Sequence, residues 1–235
     1  MDVDINHLFA GGNTALHYAV NMGLCGMVQV LLENGANVSL VNDAGFFPLS
    51  LAITKGSVDV VSILVACKRI DVNQKAQKDG STCLHIAAFS GFHAGVKALL
   101  EHIFVKKDVA DGKGNTPLHH AAFKGHIAII QTLVEAGARA DKANRSDNLP
   151  IHLACIKGHT VCVQYFLRAG ITPTSFGEHG WQPLHFAVEH GHQDIVELLL
   201  NRGLDIRTTT GKEGYSILHI AVLKGYTNLC MYLLH

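Results

Sequence analysis

One register governs this chain of 235 residues. Seven apolar residues (Leu16, Leu49, Leu84, Leu118, Ile151, Leu184 and Leu218) follow one another at intervals of 33, 35, 34, 33, 33 and 34. Three positions after each stands an alanine, from Ala19 to Ala221, and seven positions after each a glycine, from Gly23 to Gly225. Both columns hold in all seven copies, a register that chance does not produce. A repeat of this period cannot bury its own apolar face, so copies must stack and share a continuous core.

The residues around each marker give the unit its local structure. Gly12, Gly45, Gly80, Gly114, Gly180 and Gly214 open six copies and supply the positive φ of a tight turn. Asp147 takes that place in the fifth copy, which predicts a left-handed aspartate there. Thr14, Thr82 and Thr116 stand where a helix N-cap hydroxyl is useful, and Pro117 and Pro183 suit the first helical position. A short helix follows, its alanine allowing close approach of a neighbour, and the glycine of the register ends it. A second helix carries apolar spacing such as Val28, Leu31 and Leu32, or Ile195, Val196, Leu199 and Leu200. Segments such as Gly35-Ala36-Asn37-Val38 return the chain to the next turn.

The stretches NTPLHHAAFKGH at 115–126 and WQPLHFAVEHGH at 181–192 resemble the signature of the ankyrin repeat family, and the likeness extends over the whole chain. The resemblance implies an all-α solenoid of stacked helix-turn-helix units with β-hairpin-like turns, the turns and first helices lining its concave side. Repeats are expected at about 8–40, 41–75, 76–109, 110–142, 143–175, 176–209 and 210–235. Ser50 replaces the motif histidine in the second repeat, and Ile151 replaces the motif leucine in the fifth. Added length in 66–79 predicts a longer finger between the second and third repeats. Because the sequence stops midway through a helix at Leu233-Leu234-His235, the array is expected to be a piece of a longer one with a fraying last repeat. Asn37 and Asn73 look like the hydroxylated asparagines of this family.

Composition narrows the function. Nineteen basic residues balance nineteen acidic ones, which disfavours binding through nucleic-acid phosphates. No apolar run approaches the ~20 residues of a membrane helix, and no signal-peptide core follows Met1, so neither membrane insertion nor secretion is expected. The six cysteines form no CxxC pair and read as reduced thiols of a cytoplasmic or nuclear protein. Of sixteen histidines, six (His17, His85, His119, His152, His185, His219) occupy the motif position, where an imidazole can bond the adjacent turn in a buried structural role. His126, His159 and His192 follow the register glycine, so the fold accounts for nine. Glu189-His190-Gly191-His192 with His179 lacks zinc-site spacing. There is no GxSxG elbow and no phosphate loop, so neither catalytic residues nor a cofactor or metal are expected.

Residues that the repeat does not dictate carry the functional reading. Five positions after each marker lies a first-helix site facing the groove: Asn21, Thr54, Phe89, Phe123, Ile156, Glu189 and Leu223. Phe89, Phe123 and Ile156 predict an exposed apolar strip, with Phe46, Trp181 and Tyr215 at turn tips. Lys55, Lys124, Lys157 and Lys224 stand one position beyond the strip. The expectation is a monomeric, non-catalytic scaffold whose groove holds a protein or extended peptide carrying apolar anchors and acidic residues. Phe46, Phe89, Phe123, Ile156, Trp181 and Tyr215 serve as anchors there, and Lys124 and Lys157 steer. The register is also similar to arrays of ubiquitin ligases such as the Mind bomb family, which implies a substrate-recruiting region of an enzyme as the alternative.

Overall fold

The structure is a computed structural model that describes residues 4–76, 79–210 and 214–234. Its described residues form helices in pairs and divide into two compact units, Met1–Gly112 and Lys113–His235. The first unit holds α1 (Ala15–Asn21), α2 (Cys25–Glu33), α3 (Pro48–Lys55), α4 (Val58–Ala66), α5 (Cys83–Ser90) and α6 (His93–Leu100). The second holds α7 (Pro117–Lys124), α8 (Ile127–Glu135), α9 (Pro150–Lys157), α10 (Thr160–Arg168), α11 (Pro183–Glu189), α12 (Gln193–Leu200), α13 (Ile217–Leu223) and α14 (Thr227–Leu234).

Stacking follows the register. In the first unit α1 packs on α3 and α3 on α5, while α2, α4 and α6 form the second row. In the second unit α7, α9, α11 and α13 form one row and α8, α10 and α12 the other. The markers Leu16, Leu49, Leu84, Leu118, Ile151 and Leu184 are sealed in the core, as are Ala19, Ala52, Ala87, Ala121, Ala154 and Ala187. Alanine suits that face because a larger side chain would hold the helix rows apart.

Thr14, Thr82 and Thr116 are N-caps, and Pro117 and Pro183 open their helices, as the sequence predicts. Asp147 adopts φ +59°. The hairpin character is slight: among the described residues it amounts to isolated antiparallel bridges, Lys75–Thr82 and Thr209–Ser216. Residues 77 and 78 of the lengthened stretch, and the terminal His235, lie outside the described residues. Both helices of the seventh pair are formed, but Val222 is 63% exposed where its equivalents from Val20 to Val188 are at most 1% exposed.

Candidate interaction site

At His17, His119 and His152 the motif histidine ties its repeat to the next, whereas the buried His185 Nε2 has no hydrogen-bond partner among the described residues. In the first repeat the Thr14 backbone N–H donates to His17 Nδ1 at 3.2 Å, and Thr14 Oγ1 lies 2.8 Å from the same nitrogen. An amide can only donate, so Nδ1 is unprotonated and Nε2–H donates to the Phe46 carbonyl at 3.0 Å, across 29 residues. His119 repeats the pattern with Thr116 and the Asn148 carbonyl at 2.9 Å. His152 does so with the Leu149 N–H and the Ser175 carbonyl at 3.0 Å. Ser50 keeps the local half alone, accepting from the Phe47 N–H and donating back to the Phe47 carbonyl. Burial lowers His152 and His185 to about 4 and moves His17 in the same direction. The expected buried role fails at His219, which is exposed.

The histidine after the register glycine runs the other way. His159 Nε2–H donates to the Phe123 carbonyl at 3.1 Å, and His192 Nε2–H to the Ile156 carbonyl at 3.2 Å. Tyr226 hydroxyl donates to the Glu189 carbonyl at 3.3 Å in the same role. These bonds cap the C-terminal turn of the preceding first helix. They also fix the backbone at the groove positions themselves.

The expected strip is less open than the sequence suggests. Phe89, on α5 of the first unit, is 43% exposed, whereas Phe123 and Ile156 of the second unit are half-buried. The Lys157 ammonium lies 4.7 Å from the Phe123 ring centroid, so this lysine lies over the aromatic face. Lys224 likewise pairs with Glu189 at 3.2 Å. Lys124 is exposed at the end of α7. Trp181 is half-buried, packed 5.4 Å from Phe186 and 6.1 Å from His185. Phe46 is half-buried and its carbonyl is spent on His17. Tyr215 is 39% exposed and borders a hollow of 270 Å³ with Leu218, His219, Val222 and Leu223. The second unit therefore brings Phe123, Lys157 and Ile156 onto one row of first helices, with Trp181 on the turn before α11.

The ankyrin repeat model matches residues 1–76, 49–144, 137–210 and 180–235, and so spans the chain. This chain belongs to the ankyrin repeat family. The crystal structure of the human ASB11 ankyrin repeat domain superposes with a TM-score of 0.81 at 26% identity, covering 94% of this chain and 97% of that one. The ankyrin repeat domain of Bcl-3, a member of the IκB family, gives 0.80 at 26% identity, covering 89% and 94%. By sequence, the chain is 35% identical over 104 residues to the probable E3 ubiquitin-protein ligase XBOS33 of Oryza sativa subsp. japonica, which is 44% of this chain and 20% of that protein. The chain spans about half or less of the length of such relatives.

The ankyrin frame explains what the polar chemistry is for. Cys83 and Cys155 are sealed in the core and burial pushes their thiols up; Cys162 rises to about 11. Thiols so held are not thiolate nucleophiles near neutral pH. Among the described residues, no group of three or more His, Cys, Asp or Glu is arranged to hold a metal ion, and no helix is long and apolar enough to cross a membrane. Sequence reasoning missed two features: the reach of His159 and His192 across repeats, and a pair of large apolar residues, Ile103 and Phe104, standing in water at 85% and 70% exposure.

Proposed function

We propose that this chain is a non-catalytic protein-interaction module whose first helices and turn tips receive a protein or extended peptide. Ankyrin repeats generally mediate protein–protein interaction, and the first-helix row of the second unit supports that use here. The observation that carries the reading is the pairing of Phe123 and Ile156 in consecutive repeats with Lys157 lying over the Phe123 ring. Half-buried apolar side chains flanked by lysines offer a partner both an apolar contact and a charge to meet. Within the second unit Trp181 and Tyr215 supply aromatic edges and Lys124 adds positive charge; on the first unit Phe46 and Phe89 are anchors of their own. The array acts as a monomer in a reducing compartment, cytoplasmic or nuclear, and its partner carries carboxylates next to apolar side chains. Rigidity lowers the ordering cost on the receptor side, because the backbone carbonyls of Phe123 and Ile156 are already tied to His159 and His192.

Affinity capture from cell extract tests this. Proteins retained by the wild type are expected to be lost from Phe123→Ala/Ile156→Ala at equal helicity; equal capture by both would remove the first-helix row from the account. A second reading, the substrate-recruiting part of a ubiquitin ligase, draws on the likeness to the rice ligase, which covers 20% of that protein. A catalytic RING in the same polypeptide would favour that reading.

A further inference from the structure

We propose a second docking surface, on the side of the second helices, built from the turn that follows α6 and taking an acidic peptide segment with one large apolar anchor. It is independent of the first-helix row, and it starts from a departure in the repeat. Nineteen positions after the marker, four repeats place a glycine: Gly35, Gly137, Gly170 and Gly203, with φ between +84° and +90°. The residue after each glycine sends its N–H back to a carbonyl five residues earlier, as in Ala36 to Leu31 and Ala138 to Leu133. Ala36 and Ala138 are then buried as plugs under the turn.

The second and third repeats have no glycine there. Their turns close over three residues instead, Ile70 N–H to the Cys67 carbonyl and Val105 N–H to the His102 carbonyl, both at 3.0 Å. The inward residue moves one position along, to the buried Ile70 and the half-buried Val105, and two residues are thrown onto each tip. In the second repeat the tip is Lys68-Arg69, and Arg69 is used within the fold: its guanidinium donates to the carbonyls of Leu32 and Ala36 at the end of α2. In the third repeat the tip is Ile103-Phe104, and its side chains seal no core. Exposing them leaves a large apolar area in water that the stack does not require.

The tip is nonetheless held in place. Asn73 Nδ2 donates to the Phe104 carbonyl and Asn73 Oδ1 accepts from the Lys106 N–H, each at 2.8 Å. Beside it, between the ends of α4 and α6, lies a notch of 310 Å³ bordered by Val65, Ala66, Ala98, His102 and Ile103. Lys97, Lys106 and Lys107 lie on α6 and the strand of chain leaving the tip, and Lys68 stands on the equivalent turn of the neighbouring repeat. The acids around the tip are Glu101, at the notch, Asp108, and Asp71, whose Oδ1 accepts from the Asn73 N–H. The excess of positive charge around a fixed apolar tip and a concave notch fits a segment that seats one aromatic or aliphatic side chain and turns carboxylates toward the lysines. A bilayer surface would use the tip and the lysines but not the notch.

The test is selection of a displayed random-peptide library on the full chain, with vesicles of phosphatidylcholine and phosphatidylserine run in parallel. Recovered peptides are expected to combine a large apolar residue with Asp or Glu. Their affinity should fall at least tenfold in Ile103→Ser/Phe104→Ser and in Lys106→Glu/Lys107→Glu, and stay unchanged in Phe123→Ala/Ile156→Ala. Because Ile103 and Phe104 are exposed, the serine variant should melt like the wild type. Peptides without acidic residues, binding indifferent to Ile103 and Phe104, or vesicle capture that needs these residues would each overturn the proposal. Loss of binding only in the Phe123→Ala/Ile156→Ala variant would instead assign the peptides to the first-helix row.

Discussion

Acidification from about pH 7 to about pH 4.5 is expected to destabilise the second unit by several kcal/mol, at about 1.4 kcal/mol per pH unit for each buried motif histidine. His152 and His185 are held near 4 by burial, whereas the same side chains titrate near 6.5 once exposed. Between those values the unfolded chain binds protons that the folded chain refuses. Stability is therefore intact above about 6.5, falls as the pH drops toward 4, and levels off below that. The geometry gives the reason: at His152 a main-chain N–H occupies Nδ1 and the Ser175 carbonyl occupies the Nε2–H, so a second ring proton would break the cap. His17 shifts in the same sense in the first unit. Denaturant melts from pH 7.5 to 4.5 check this, and a midpoint that stays constant between 6.5 and 5 would contradict it. His152→Gln/His185→Gln should be less stable at neutral pH and should flatten the slope.

Gly158→Ala should cost about 2–4 kcal/mol, while Gly137→Ala should cost about 1 kcal/mol, though both glycines have positive φ. At Gly137, with φ +90°, an added Cβ meets nothing within 4 Å, and the penalty is backbone strain alone. At Gly158, with φ +76°, it would sit 2.7 Å from the His192 ring. That ring is fixed by its bond to the Ile156 carbonyl, so relief of the clash breaks a cross-repeat tie. Thermal or urea unfolding of the two variants gives the comparison. Equal losses would mean that the histidine ring moves aside freely and that the tie contributes little.

Much of the fold was legible because the register encodes it locally. A leucine, an alanine and a glycine at fixed offsets specify where a short helix starts, which face it buries and where it stops, and even Asp147 could be assigned its left-handed turn. What the sequence concealed depends on contacts about one repeat away. Nothing within a single copy reveals that Lys157 will lie over Phe123 of the preceding repeat, so the strip was expected to be more open than it is. The same holds for Trp181, whose turn-tip position is plain but whose packing on Phe186 belongs to the tertiary structure. Ile103 and Phe104 are a different kind of omission. The signal is present in the sequence, since four repeats carry a glycine where Ile103 stands, but that position lies outside the groove column.

The central claim is that residues the repeat leaves free on the first helices carry partner recognition. The most direct measurement is calorimetric titration of a captured partner into the wild type and Phe123→Ala/Ile156→Ala, with thermal unfolding of both. The account predicts a loss of about 1–3 kcal/mol in binding for the variant, with the melting temperature nearly unchanged. A variant that melts well below the wild type yet binds with undiminished affinity while folded would contradict it, and would return Phe123 and Ile156 to the core.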